Sequence, residues 1–226
     1  MLETLIITTS NMFISWRIPV ILISVFVVLS VIAGILIAVL VNKFKVNVIL
    51  DADTAHPRLI VYCNGKQVKL GKAPKNELDR IEPQKDRFNN YLGVLAKDGF
   101  SSGCFYFEVQ VKGQTEWYLG VTRECVDRKG SVSLSPNDGY WAVSLKNEKY
   151  RAHESPCVSL ALSVNPEIVG VFVDYEKGLV TFYDMESLSL MYSYINQPFD
   201  EKLYPFVSLG YLKNENFTPL IICDDY

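Results

Sequence analysis

The chain has 226 residues, enough for one domain of ordinary size and a small addition. Its formal net charge is −3; only Glu3 and Arg17 are charged before Asn42, and both signs mix along the rest. That distribution lacks the basic stripe of a nucleic-acid binder, so nucleic acid is excluded as a partner. Five cysteines, at 63, 104, 125, 157 and 223, are odd in number and lack metal-ligand spacing. They exclude a disulfide framework and read as reduced, packed thiols of a cytosolic domain.

Residues 18–41, "IPVILISVFVVLSVIAGILIAVLV", form an uncharged run. As a helix it would extend roughly 36 Å, so the expectation is one transmembrane helix crossing a hydrocarbon core of roughly 30 Å. The run is too long for a signal-peptide core, and "VLVNKFK" offers no small-residue cleavage site. Trp16 and Arg17 mark one interface; Lys43 and Lys45 mark the other. The two lysines assign the carboxyl side to the cytosol and leave 1–17 as a short outer tail, with 42–45 as a linker. Ser30, Gly34 and Ala38 recur every four residues, a spacing for helix self-association.

From Val46 the period changes. "LIVYCNGKQVKL" has two apolar-alternating arms around Asn64-Gly65, which predicts a hairpin with a two-residue turn. "PKNELDRI", residues 74–81, is a weakly polar stretch with helical character. "CFYFEVQVKG" alternates with period two and places Phe105, Phe107, Val109 and Val111 on one face. "EWYLGVT", "GYWAVSL", "IVGVFVDYEKGLVTFYD" and "YPFVSLGYL" are further β-rich runs, separated by turn residues such as Asn137-Asp138-Gly139. Trp117 and Trp141 lie in alternating strands and read as core. Many short strands at regular spacing predict an antiparallel β-sandwich.

"VILDADTAHPRLIV" resembles the PRY motif, and "RFNNYLGVLAKDGFSSGCFYFEVQV" resembles the opening of SPRY. "EWYLGVTRE", "GYWAVSL", "VGVFVDYEKGLVTFYD" and "LYPFVSLGY" follow in the order of that family. The match extends over residues 46–226 and resembles a complete PRY–SPRY (B30.2) domain. The resemblance implies a mostly β protein, a bent antiparallel sandwich that binds proteins through loops at one end and has no catalysis and no cofactor. A membrane helix ahead of such a domain resembles the butyrophilins and implies membrane-anchored immune regulation from the cytosol. The alternative is the substrate-recognition fragment of a tripartite-motif ubiquitin ligase. Neither the RING and B-box cysteines of such ligases nor the immunoglobulin domains of butyrophilins occur in these residues, so a reduced or truncated butyrophilin-like chain is expected.

No P-loop, HExxH, GxSxG or CxxC pattern occurs. His56 in "DADTAHP" reads as a turn residue and His153 in "RAHESP" as a loop residue. Asp174 and Glu176, two apart, read as structural. Some butyrophilins bind pyrophosphate metabolites in a basic pocket; Arg151 matches one of its arginines. Its other basic positions fall here on Tyr91, Tyr118, Ser133 and Cys157, so no phosphoantigen site is expected. Two tryptophans that anchor antibody Fc in another branch fall on Ser144 and Lys146, which implies no Fc recognition. By resemblance, the protein-binding loops comprise Asn89, Asn90, Tyr91, Arg128, Lys129, Ser144, Lys146, Asn147, Tyr150, Arg151 and Tyr211, with Leu145 between two of them.

Overall fold

A computed structural model describes residues 20–32, 34–36, 39, 43–71, 87–89, 91–129, 133–162, 165–210 and 218–223. The chain separates into two compact units, Met1–Lys43 and Phe44–Tyr226. In the first unit the described residues 20–32, 34–36 and 39 are helical. No helix among the described residues is long and apolar enough to cross a membrane. This overturns the expected span over 18–41 and the cytosolic, membrane-anchored placement built on it. Of the small-residue face, Ser30 Oγ donates to Val27 O at 2.8 Å within its own helix, and Ala38 lies outside the described residues.

In the second unit, period-two alternation produces short strands. These are β1 (Leu59–Tyr62), β2 (Gln67–Leu70), β3 (Leu92–Leu95), β4 (Cys104–Gln110), β5 (Trp117–Arg123), β6 (Tyr140–Lys146) and β7 (Lys149–Ala152). There follow β8 (Val158–Leu160), β9 (Ile168–Asp174), β10 (Leu179–Asp184), β11 (Ser189–Tyr194), β12 (Leu203–Leu209) and β13 (Leu220–Ile222). They form a seven-stranded sheet, ordered β1-β2-β13-β4-β9-β10-β11, and a six-stranded sheet, ordered β3-β12-β5-β6-β7-β8. Every pairing between these strands is antiparallel.

The core lies between the sheets. Phe105, Phe107, Val109 and Val111 from the first pack with Trp117, Leu119, Val121, Trp141 and Val143 from the second. Each fully buried side chain of this size contributes roughly 1.5–3 kcal/mol of apolar burial. Trp141 is wholly buried, its indole N–H donates to Gln197 Oε1 at 2.9 Å, and its ring meets Phe199 edge-on at 4.8 Å. The segment ahead of β1 is tied to the second sheet by Thr54. Its hydroxyl donates to Asp51 O at 2.8 Å and accepts from the Leu95 amide at 3.0 Å.

The β1–β2 hairpin differs from the two-residue Asn-Gly turn expected. Tyr62 pairs with Gln67, so four residues connect the strands. Cys63 (φ 49°) and Asn64 (φ 54°) occupy the central positions, closed by a Gly65 N–H to Tyr62 O bond of 3.2 Å. Gly65 itself has φ 83°, and a β-carbon there would meet Ile49 Cγ2 at 2.5 Å, so its glycine serves close packing beneath the turn. The hairpin also leaves Cys63 exposed, and Cys125 and Cys157 are exposed too, so three of the five thiols are not packed as expected. The stretch 74–81 lies outside the described residues.

Trp141→Ala should lower unfolding free energy by about 3–5 kcal/mol through cavity formation and a stranded Gln197. Urea titration measures this, and a loss below about 1 kcal/mol would contradict the placement of the indole at the centre of the core.

Candidate functional site

The six-stranded sheet turns one face to the shared core and the other away from it. Cross-strand partners share a face, so one row of the outer face can be read from the register as Gly93, Ser208, Tyr118, Ser144, Arg151 and Ser159. Trp117, Val143 and Ala152, one position away from members of this row, belong to the core. One row further, Gly210 N–H bonds Glu116 O, and Lys146 pairs with Lys149. Lys146 Nζ lies 3.3 Å from Glu116 Oε1, and the Tyr118 hydroxyl donates to that same carboxylate at 3.4 Å.

Above another part of this face lies a second, smaller apolar cluster: Phe88, Leu95, Tyr118, Leu134, Tyr140 and Phe206, with Tyr91, Val126 and Tyr204 packed against it. Phe88 and Phe206 have ring centroids 5.7 Å apart, and Tyr91 meets Tyr118 edge-on at 6.5 Å. The cluster fixes two loops against the sheet. Asn89 N–H bonds Arg128 O at 3.0 Å, Arg128 lies 6.0 Å from the Phe88 ring, and the Lys129 amide bonds Asp127 Oδ1 at 2.8 Å.

Of the residues expected in binding loops, Asn89, Tyr91, Arg128, Ser144, Lys146 and Arg151 are therefore carried on this face or on the loops packed over it. Lys129 is exposed beside Arg128. Asn147 (φ 50°) and Glu148 (φ 59°) make a two-residue turn between β6 and β7, a backbone conformation that asparagine tolerates well. Tyr150 and Leu145 do not join the group. They are cross-strand partners packed against the main core, with Tyr150 6.2 Å from the Trp117 ring. Adjacent residues of a strand point to opposite faces, so Tyr150 and Arg151 cannot act as one contact. Asn90 and Tyr211 lie outside the described residues.

His153, expected in a loop, lies just past the end of β7, and its amide bonds Ala142 O at 3.0 Å. Its Nε2 shares a 2.8 Å hydrogen bond with Ser144 Oγ, and its ring lies 5.5 Å from that of Tyr118. Burial pushes its pKa from 6.5 down to about 4, and the charges of Arg151 and Lys146 add to the fall. The strand parity of "YRAH", with Arg151 and His153 on one side, was the available signal. The remaining candidates are structural. His56 Nδ1 accepts from the Arg58 amide at 3.1 Å within a turn. Asp174 accepts from Lys177 Nζ at 2.7 Å, and Glu176 accepts from the Gly103 amide at 2.8 Å.

A folded-state pKa near 4 against 6.5 means that the unfolded chain binds more protons between those values. Stability therefore falls as pH drops from 6.5 to 4 and this contribution levels off below. Unfolding free energies at pH 7 and 4 should show that wild type loses roughly 2–3 kcal/mol more than His153→Gln. Equal losses in the two proteins would show that His153 is not held neutral.

A SPRY domain model matches residues 104–222, and a SPRY-associated domain (PRY) model matches residues 48–100. The E3 ubiquitin-protein ligase TRIM21 of Mus musculus is 40% identical over 180 residues, covering 79% of this chain and 37% of that protein. Butyrophilin subfamily 1 member A1 of Mus musculus is also 40% identical, over 179 residues, covering 79% of this chain and 33% of that protein. The chain thus spans about a third of the length of these relatives, and identity does not favour one over the other. The crystal structure of the TRIM65 PSpry domain superposes with a TM-score of 0.69 over 84% of this chain and 95% of that one. At 20% identity it supports the fold alone. With both motif models matched in order across the two sheets, the chain belongs to the PRY–SPRY (B30.2) family, whose domains are protein-interaction modules.

Proposed function

We propose that this chain is a non-enzymatic recognition module, its PRY–SPRY domain extending over 46–226, and that it engages a protein partner with the outer face of the six-stranded sheet. The observation that carries this reading is the convergence of the partly exposed Tyr91, Lys146 and Arg151 on one face, over the buried Tyr118 and Ser144 and beside loops anchored by Phe88. Aromatic and arginine side chains on a rigid scaffold are the usual anchors of protein interfaces. Asn89, Arg128, Lys129 and Asn147 form the rim, and Asn90 and Tyr211 extend it by sequence. Tyr150 supports the surface from within.

The Ser144–His153 pair argues for binding over catalysis. A hydrolytic serine needs an accessible hydroxyl and a histidine basic enough to take its proton, oriented by an acid. Here Ser144 is 1% exposed, and His153 has a pKa near 4 with two cations, not a carboxylate, acting on it. The likeness to TRIM21 and to a butyrophilin fits the same recognition role in a ligase-linked or an immune-regulatory setting.

Photo-crosslinking tests the surface. With benzoylphenylalanine at Tyr91 or Asn147, adducts to a cellular protein should form, and the same probe at Leu190, exposed on the other sheet, should give none. The same adducts from Leu190, or adducts from Leu190 alone, would refute the outer face as the binding surface.

A further inference from the structure

The outer face ends at β8, which pairs with β7 and forms the edge of the six-stranded sheet. An edge strand presents unpaired amides and carbonyls to which an extended peptide can add. In this edge Ser159 points to the outer face, opposite Arg151, while Val158 and Leu160 point to the other side. Val158 is 38% exposed, and Leu160 is half-buried against the main core.

Arg151 is distinctive on this face. It is half-buried, and its side chain has no hydrogen bond or ion pair among the described residues. Most partly buried arginines of a folded domain are matched to a carboxylate or carbonyl acceptor. Its neighbours add no acceptor of charge: His153 is neutral, Lys146 is engaged with Glu116, and Lys149 is a further exposed cation. Ser159, a small residue, is what separates Arg151 from the open edge.

Resting on the recognition role proposed above, we infer that the partner supplies an extended segment that adds to β8 as an antiparallel strand, with an Asp or Glu opposite Ser159 whose carboxylate pairs with Arg151. A strand added at the usual spacing lies two steps, about 10 Å, from the β7 backbone. The arginine arm reaching over Ser159 and the acidic side chain reaching back span that gap together. The residues on either side of the acid face Val158 and Leu160 and are apolar. The segment therefore reads apolar–acidic–apolar, and the backbone pairing supplies register while the ion pair selects the acid.

The test uses the full chain and two pools of fluorescein-labelled nonapeptides, degenerate except for a central Val-Glu-Val or Val-Gln-Val, followed by fluorescence polarisation. The expected result is tighter binding of the glutamate pool by about tenfold or more, consistent with a charge-assisted pair. That preference should fall below twofold in Arg151→Ala, return in part in Arg151→Lys, and vanish when the peptides carry alternate N-methyl amides. A glutamate preference that survives Arg151→Ala overturns the inference. So does a lack of preference in wild type. If crosslinks from Tyr91 and Asn147 still form in that case, the recognition reading stands without the acidic strand; if they do not form, both fall. Displacement of the peptides by inorganic pyrophosphate with no preference between pools would make Arg151 a free-anion site. A dimer in light scattering that dissociates on Val158→Lys and excludes peptide would assign the edge to a second copy. Either outcome also overturns the inference.

Discussion

The antiparallel register that sets Tyr118 opposite Ser144 and Ser144 opposite Arg151 is the constraint on which both faces of the six-stranded sheet depend. Because side chains alternate strictly, that pairing sends Trp117, Val143 and Ala152 into the shared core in the same step that sends Tyr118, Ser144 and Arg151 out. The hydrophobic demand of the core is strong, so it fixes the register, and the chemistry of the outer face follows from it. No separate interaction has to place the outer residues in their row.

A second consequence is the cluster around Phe88 and Phe206. It lies outside the sandwich proper yet holds buried aromatic rings, Tyr140 among them at 0% exposure. Loops carrying Asn89, Tyr91 and Arg128 are thereby packed against the sheet, which lowers the ordering cost that a loose loop would bring to binding. Electrostatics follow the same geometry. His153 sits where burial and two cations keep it neutral, so the face has a fixed positive character across the physiological pH range.

Much of this is legible in the residues. Alternation in "CFYFEVQVKG" names a core face that the structure reproduces, and the paired tryptophans are buried as their strands imply. The order of motifs points to the family. Other features are not legible, for distinct physical reasons. At Cys63-Asn64-Gly65 the turn is displaced by one residue because Gly65 must pass close over Ile49, a contact far enough away to leave no local trace. His153 lies in a loop just past β7, yet its amide bonds Ala142 O, a contact across the sheet that the local sequence does not announce. The run 18–41 satisfies a rule of length and composition, whereas no helix among the described residues is long and apolar enough to cross a membrane. Tyr150 and Arg151 are neighbours in sequence, yet the parity of β7 sends them to opposite faces.

The two-residue turn at Asn147-Glu148 has a bearing on how such a surface can diversify. It leaves no slack between β6 and β7, so a single inserted residue within either strand would exchange the two faces, turning Trp141 and Val143 out of the shared core and Ser144 and Lys146 into it. On the outer face, Tyr140, Ala142 and Ser144 are buried, so the strand positions open to substitution are Lys146, Lys149 and Arg151 near the turn, while changes of chain length are confined to the turns. The chemistry of this end of the face can change at those side chains without disturbing the packed interior.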